Sequence, residues 1–232
     1  MAKYYIKIIL KLIIDVAVII CLMMAISAHF YNSMENYFID CIHSLLEFSS
    51  ISPFTTKINI AAAIVCLIDI PYEIMCLVSK KDCQLDGLYK TKFVVAVLLT
   101  MTFFVVIIAL VPIAWSMQGS FYWALKTNYG SQNMYTHLII PVIFVCSFLF
   151  LEKKEPLLKK WMIISTIPCF LFTIEYALFV YGFKTWEDHY HTGEIIKKFT
   201  VFGLLGLLVI IYVLIILICY LFNKIKSRHH NG

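Results

Sequence analysis

The stretch MYTHLIIPVIF, residues 134–144, sets one histidine, His137, at the mouth of an apolar run, with Pro141 four residues on. A second stretch, PFTTKIN, places Thr55, Thr56 and Asn59 at the start of another apolar run. A threonine hydroxyl is a poor nucleophile until a base accepts its proton, and a histidine held by a carboxylate is a common way to provide one. Glu175, in FTIEYALF, is a carboxylate inside a third apolar run. Thr, His and Glu could therefore compose a nucleophile, a base and an orienting acid. A structural reading stands beside the chemical one: His137 caps a helix or bonds an interfacial carbonyl, the threonines cap their own helix, and Glu175 is half of an ion pair. Which applies depends on the elements that bring these residues to one depth.

Those elements are membrane spans. Of 232 residues, 62% are apolar and the mean hydropathy is +0.87, where soluble proteins are roughly half apolar. A helix needs about 20 apolar residues to cross a hydrocarbon core of ~30 Å. Six runs qualify, near residues 12–30, 54–78, 93–115, 134–151, 161–182 and 199–222. Lipid gives backbone groups no partners, and these runs lack the inside–outside alternation of barrel strands, so they are expected to be α-helices. The prediction is an all-α polytopic membrane protein, residues 1–232 forming a single six-helix domain with no soluble domain.

Lysine placement predicts the orientation. Lys3, Lys7 and Lys11 precede the first run, Lys80, Lys81, Lys90 and Lys92 flank the second connection, Lys153, Lys154, Lys159 and Lys160 the fourth, and Lys224, Lys226 and Arg228 follow the last. These are the cytoplasmic faces expected from the positive-inside rule, so both termini are expected inside a cell membrane. The same lysines meet anionic headgroups, which accounts for the net charge of +5 without a nucleic-acid partner. The first run is too long for most signal peptides and is read as an uncleaved span.

On this topology Thr55, Thr56, Asn59 and His137 start at the outer surface, and Glu175, fourteen residues past Trp161, lies in the outer half. An ionisable group inside a span costs roughly 2.5–3.5 kcal/mol on insertion scales, so Glu175 must have a partner or a proton. Pro112, Pro141 and Pro168 weaken the ladders of their helices, and three kinked helices can enclose a cavity. At the inner end, Asp69 and Glu73 repel one another at spacing i, i+4, and a cation, a proton or Lys80 and Lys81 must compensate. Asp15 reads as an inner-surface pair with Lys11. In KTWEDHYHTGE, Glu187, Asp188, His189, His191 and Glu194 are metal-type ligands, but no second cluster completes a site; a wet loop anchored by Trp186 and Tyr190 is preferred, with no metal or cofactor. Of eight cysteines Cys41 is the sole outer-loop thiol, which excludes a disulfide framework. No GxSG, GxGD or HExxH segment supports proteolysis, and no inverted repeat supports a secondary transporter.

PFTTKIN opening the second run and MYTHLIIPVIF opening the fourth resemble a family of uncharacterised six-span bacterial membrane proteins, which carry a Phe-Thr-x-x-x-Asn and a His-x-x-x-Pro segment at these places. That family is in turn similar to the vertebrate FAR-type and androgen-induced membrane proteins, six-span threonine hydrolases of fatty-acid esters of hydroxy fatty acids. The resemblance covers most of the chain. It implies His137 as the base and Thr55, which follows Phe54 and precedes Asn59 by four, as the nucleophile. Thr56 is the rival, since a one-residue shift suits the vertebrate pattern, with Glu175 and Asn59 in support. The proline falls one position earlier after His137 than in the vertebrate pattern. The expected function is hydrolysis of a lipid ester, with membrane lipids and the ester as partners. The alternative is a non-enzymatic lipid- or ion-handling bundle in which Glu175, Asp69 and Glu73 titrate.

Overall fold

The computed structural model describes residues 2–31, 54–80, 85–129, 132–152, 156–157, 159–186, 188 and 192–230. Every regular element among the described residues is helical. The chain runs through α1 (Ala2–Tyr31), α2 (Phe54–Ser79) and α3 (Asp86–Val105), which passes by the π-turn Val106–Leu110 into α4 (Val111–Gln118). Gly119 closes α4 in the left-handed region, φ 68°, its N–H donating to Trp115 O, before α5 (Phe121–Tyr129). The π-turn Tyr135–Ile139, α6 (Ile140–Cys146) and the π-turn Ser147–Leu151 form one apolar helix. Beyond it lie α7 (Lys160–Ile164), α8 (Ile167–Ala177) with its π-turn Leu178–Gly182, and the long α9 (Thr192–His230).

Among the described residues five helical stretches are long and apolar enough to cross a membrane: Tyr4–Ser27, Phe54–Ser79, Asp86–Ile108, Lys160–Gly182 and Thr200–Arg228. The run predicted as the fourth span is a shorter apolar helix, Tyr135–Leu151.

The prolines act as their chemistry requires. Proline lacks the N–H that would complete the ladder, and its ring crowds the carbonyl four residues back, so the backbone upstream rewinds. Pro112 and Pro141 each follow a π-turn directly, and Pro168 follows the break at Ser165 and Thr166, where Thr166 donates its N–H and hydroxyl to Ile163 O. A further kink lies in α9 at Thr200, whose φ of 63° and ψ of 177° leave the helical region.

Side-chain contacts show which ends of the helices meet. Lys11 of α1 and Lys92 of α3 both reach Asp69 of α2 and Glu152, the residue after Leu151, while Lys226 of α9 donates to Phe148 O at 2.8 Å. The start of α1, the end of α2, the start of α3 and the ends of the Tyr135–Leu151 helix and α9 therefore share one end of the bundle. At the other end Phe54 of α2 packs its ring on Phe172 of α8 at 5.0 Å, and Asn59 bonds Thr136 O. Among the described residues α1 and α3 therefore run away from that shared end, and α2, the Tyr135–Leu151 helix and α9 run toward it.

Aromatic rings and small side chains both contribute to the core. Tyr89, Phe93, Phe148 and Phe222 form an aromatic cluster, with Tyr89–Phe148 centroids 5.6 Å and Phe93–Phe148 centroids 5.9 Å apart. Val18 of α1 shares the main core with Ala62, Ala63 and Cys66 of α2, and the two helices pack directly; small side chains let two backbones come close without hydrophobic drive from water. Outward-facing Ile6, Ile13, Ile20, Leu67, Val209 and Val213 are exposed, as suits a surface whose solvent is hydrocarbon.

Candidate functional site

Thr55, in the first turn of α2, is buried and lines a cavity of about 190 Å³ between α2, α3 with its π-turn, α8 and α9. The walls are Phe54, Met101, Val105, Val106, Phe172 and Leu208 among others, and the surface is almost wholly apolar: Thr55, Thr102, Thr173, Tyr176, Tyr181 and Thr192 also border it, but Thr102 and Thr173 turn their hydroxyls to Leu99 O and Cys169 O. The Val106–Leu110 π-turn before Pro112 forms part of this wall, so one of the three predicted kinks shapes the cavity directly. A volume below the roughly 300–1,000 Å³ of drug-sized pockets suits part of a chain-like ligand rather than a whole lipid.

Asn59 is fully buried and ties the neighbouring elements together. Its Nδ2 donates to Thr55 O at 2.7 Å and to Thr136 O at 3.1 Å, so both amide hydrogens are engaged and Oδ1 stays buried without a donor. The amide is therefore a main-chain staple between α2 and the Tyr135–Ile139 turn, and it has no N–H to spare for an oxyanion. His137 follows Thr136 in that turn, half-buried, with a buried Nδ1 that has no partner. No hydrogen bond joins the imidazole to Thr55 or to Thr56, which is half-buried, and His137 is not among the cavity-lining residues. The structure brings these elements together and leaves the two side chains unlinked.

Glu175 has a partner, and it is not the histidine. Lys57 Nζ lies 2.6 Å from Glu175 Oε2 and over the rings of Phe172, 5.4 Å, and Trp186, 4.7 Å. The ion pair meets the requirement that an intramembrane carboxylate be compensated, with aromatic faces adding cation–π attraction. Lys57, two residues after Thr55 in PFTTKIN, is the residue sequence reasoning passed over. Trp186, predicted as a wet headgroup anchor, is instead buried and stacked on Phe179 at 4.7 Å.

Asp188 also has a structural task. It accepts from Tyr176 OH at 2.7 Å, Thr192 N–H at 2.9 Å, Thr192 Oγ1 at 2.8 Å and Gly193 N–H at 2.7 Å. It caps α9 at the edge of the cavity, satisfying donors that the first helical turn leaves open. Burial alone would raise this carboxyl, but the Gly193, Tyr176 and Thr192 donors outweigh it and hold the group below the usual carboxylate range. His189 and His191, with Glu187 and Tyr190, lie outside the described residues, as does Cys41. Asp188→Ala is expected to destabilise α9 by about 1 kcal/mol. Because the folded-state value is depressed, the carboxylate's contribution is complete above the unfolded value of about 3.9 and fades as pH falls through the folded one. Hydrogen exchange at the Thr192 and Gly193 amides should accelerate in that acid window in the parent, and should already be fast at pH 6 in Asp188→Ala.

At the opposite end lies a buried ionic network. Lys11 Nζ is 3.0 Å from Glu73 Oε1, 3.2 Å from Glu152 Oε1 and 3.5 Å from Asp69 Oδ2; Lys92 bonds Asp69 and lies 2.6 Å from Glu152 Oε1. None of these side chains is more than 10% exposed. Two expectations are corrected here. The compensation of Asp69 and Glu73 comes from Lys11 and Lys92 on neighbouring helices, because Lys80, in the left-handed region at φ 57°, has already left α2, and Lys81 lies outside the described residues. Asp15 does not pair with Lys11: it is buried, beside the Cys66 thiol, while Lys11 turns to the other three carboxylates.

Comparison with protein-family models, curated proteins and solved structures finds no match to this chain.

Proposed function

We propose that the chain is a six-span membrane protein whose Thr55-side cavity takes an acyl segment of a lipid ester, and that Thr55 and His137 carry the hydrolysis of that ester. One observation supports this above the rest: Thr55 lines an apolar cavity, and a buried histidine nitrogen on the adjoining element has no partner. An ester brings an apolar chain that such walls hold and a carbonyl that such a hydroxyl can attack.

In this reading Thr55 Oγ1 attacks the ester carbonyl while the imidazole of His137 accepts the hydroxyl proton. Collapse of the tetrahedral intermediate expels the alcohol, which takes that proton from the imidazolium. Water, activated by His137, then releases the fatty acid and restores the threonine. Hydrogen bonds between base and nucleophile commonly close only in the substrate complex, so a rotamer change at His137 is the motion required. The buried Asn59 Oδ1, left without a donor on the residue that holds Thr136, is the acceptor assigned to steady the imidazole in this reading.

Ester hydrolysis by the purified protein in lipid nanodiscs tests the reading, with plain and hydroxy-fatty-acid esters offered beside the Thr55→Ala and His137→Ala variants. Release of fatty acid by the parent and its loss in both variants is expected. No release from a broad ester panel, or undiminished release by both variants, refutes the enzyme. The position of His137 off the cavity wall favours a second reading, in which the cavity holds an acyl chain and no chemistry follows; lipid that co-purifies with an inactive parent would point to it.

The proposal includes both termini on the cytoplasmic face of a cell membrane, with Tyr135–Leu151 as the fourth span. The excess of lysines in the two ends and in the second and fourth connections supports that orientation. Reporters fused to the two termini should both read cytoplasmic, and a periplasmic or extracellular signal from either one defeats it.

A further inference from the structure

The network at the Lys11 end contains a carboxylate that the lysines do not serve. Lys11 touches Asp69, Glu73 and Glu152, and Lys92 touches Asp69 and Glu152. Asp15 has neither. It is 2% exposed, and its Oδ2 is buried with no hydrogen-bond donor. Glu73 is 3% exposed and only half served: its Oε1 has the Lys11 ammonium at 3.0 Å, while its Oε2 has no donor among the described residues. Leaving such groups ionised and unmatched in hydrocarbon is costly, so the cluster calls for further positive charge.

The geometry says what form that charge can take. One carboxylate oxygen each from Asp15, Asp69 and Glu73 lie within 4.8 Å of one another. Oxygens that close can converge on one cation bound at about 2.3–2.6 Å, whereas Mg²⁺, which keeps several waters and is usually held by one or two carboxylates, is poorly suited to three buried anionic oxygens. The three come from two helices that pack directly on each other, α1 and α2. Ser, Thr and Asn are not part of this group; the donors are hard, anionic oxygens, which select hard cations over thiophilic ones.

We propose that Asp15, Asp69 and Glu73 form a binding site for a hard metal cation of Ca²⁺ or Na⁺ size. Lys11 would not block it. Glu152 Oε1, 3.2 Å from Lys11 Nζ and 2.6 Å from Lys92 Nζ, is a second acceptor toward which both ammonium groups can shift as the ion enters. Asp69, shared by the lysines and the site, links ion occupancy to the contact of α2 with α3. The site lies at the end of the bundle away from Thr55 and does not depend on the ester reading.

Equilibrium dialysis of the nanodisc-embedded protein in choline buffer tests it, with Ca²⁺ and Na⁺ as the candidate ions and Mg²⁺ and K⁺ as size controls. Saturable binding of one ion per chain is expected for Ca²⁺ or Na⁺, with affinity reduced tenfold or more in Asp15→Asn and in Glu73→Gln. Ion-free Asp15→Asn should melt no lower than the ion-free parent, since the amide keeps the shape and removes an unmatched charge, so a lost site is separable from a lost fold. Absence of saturable binding by either ion, or equal binding by the variants, overturns the proposal. A carboxylic-acid infrared band in the ion-equilibrated parent that disappears in Asp15→Asn also overturns it, because a proton would then hold the place assigned to the metal.

Discussion

Replacing Lys92 by Met is expected to lower the stability of the bundle by about 3–5 kcal/mol, the typical cost of removing one partner from a buried ion pair. The reason lies in what remains. Asp69 and Glu152 are each no more than 2% exposed on their side chains, and both depend on the Lys92 ammonium. Lys11 alone would then face Asp69, Glu73 and Glu152 in a medium that screens almost nothing. For a chain of this length the loss corresponds to a fall of order 10 °C in thermal midpoint, if soluble proteins are a guide. Two companion measurements give the claim its edge. Lys92→Met/Glu152→Gln should recover part of the loss, since it removes one stranded charge with the lost one. Added choline chloride should change the parent's midpoint little, because general screening weakens a network this buried far less than it weakens exposed charges. A Lys92→Met midpoint equal to that of the parent would mean that the network contributes nothing.

The second large effect is on turnover. With His137→Ala, loss of a positioned general base is expected to slow ester hydrolysis by about 10²–10⁴-fold. Thr55→Ala should abolish the covalent route altogether, while Thr55→Ser keeps a hydroxyl and retains measurable activity. Thr56→Ala separates the rival nucleophile, and activity close to the parent's is expected because Thr56 does not line the cavity. Lys57→Met, which strips Glu175 of its partner, belongs to a different class: it should affect stability more than the chemical step, since Glu175 is engaged by Lys57 and not by the histidine. The pattern to look for is a loss confined to Thr55 and His137 in folded protein.

Much of the architecture was legible from hydropathy, because a helix in lipid has to satisfy its own backbone and therefore announces itself as a long apolar run. The α2 boundaries, predicted at residues 54–78, fall at Phe54–Ser79. The rewinding before Pro112 and Pro141 was legible too, from proline's missing donor. Side-chain partnership was not, for a physical reason. Spacing along one chain identifies same-helix neighbours such as Asp69 and Glu73, whereas the compensating lysines arrive from α1 and α3, at separations set by packing. Lys11 and Lys92 looked like residues of aqueous connections; both are buried inside helices. Glu175 was correctly expected to need company, yet nothing in its own segment names Lys57. For His137, depth could be read from its position in the run, while the direction of its ring could not.

The central claim is that Thr55 is acylated by a lipid ester. It is tested most directly by mixing the nanodisc-embedded protein with an ester substrate, quenching in acid within the first turnovers and weighing the peptide that carries Thr55 and Thr56. An acyl mass on Thr55, absent from Thr55→Ala and strongly reduced in His137→Ala, is the result expected. Fatty acid released by the parent with no acyl mass on Thr55 at any quench time, or an acyl group found on Thr56 instead, would contradict the account.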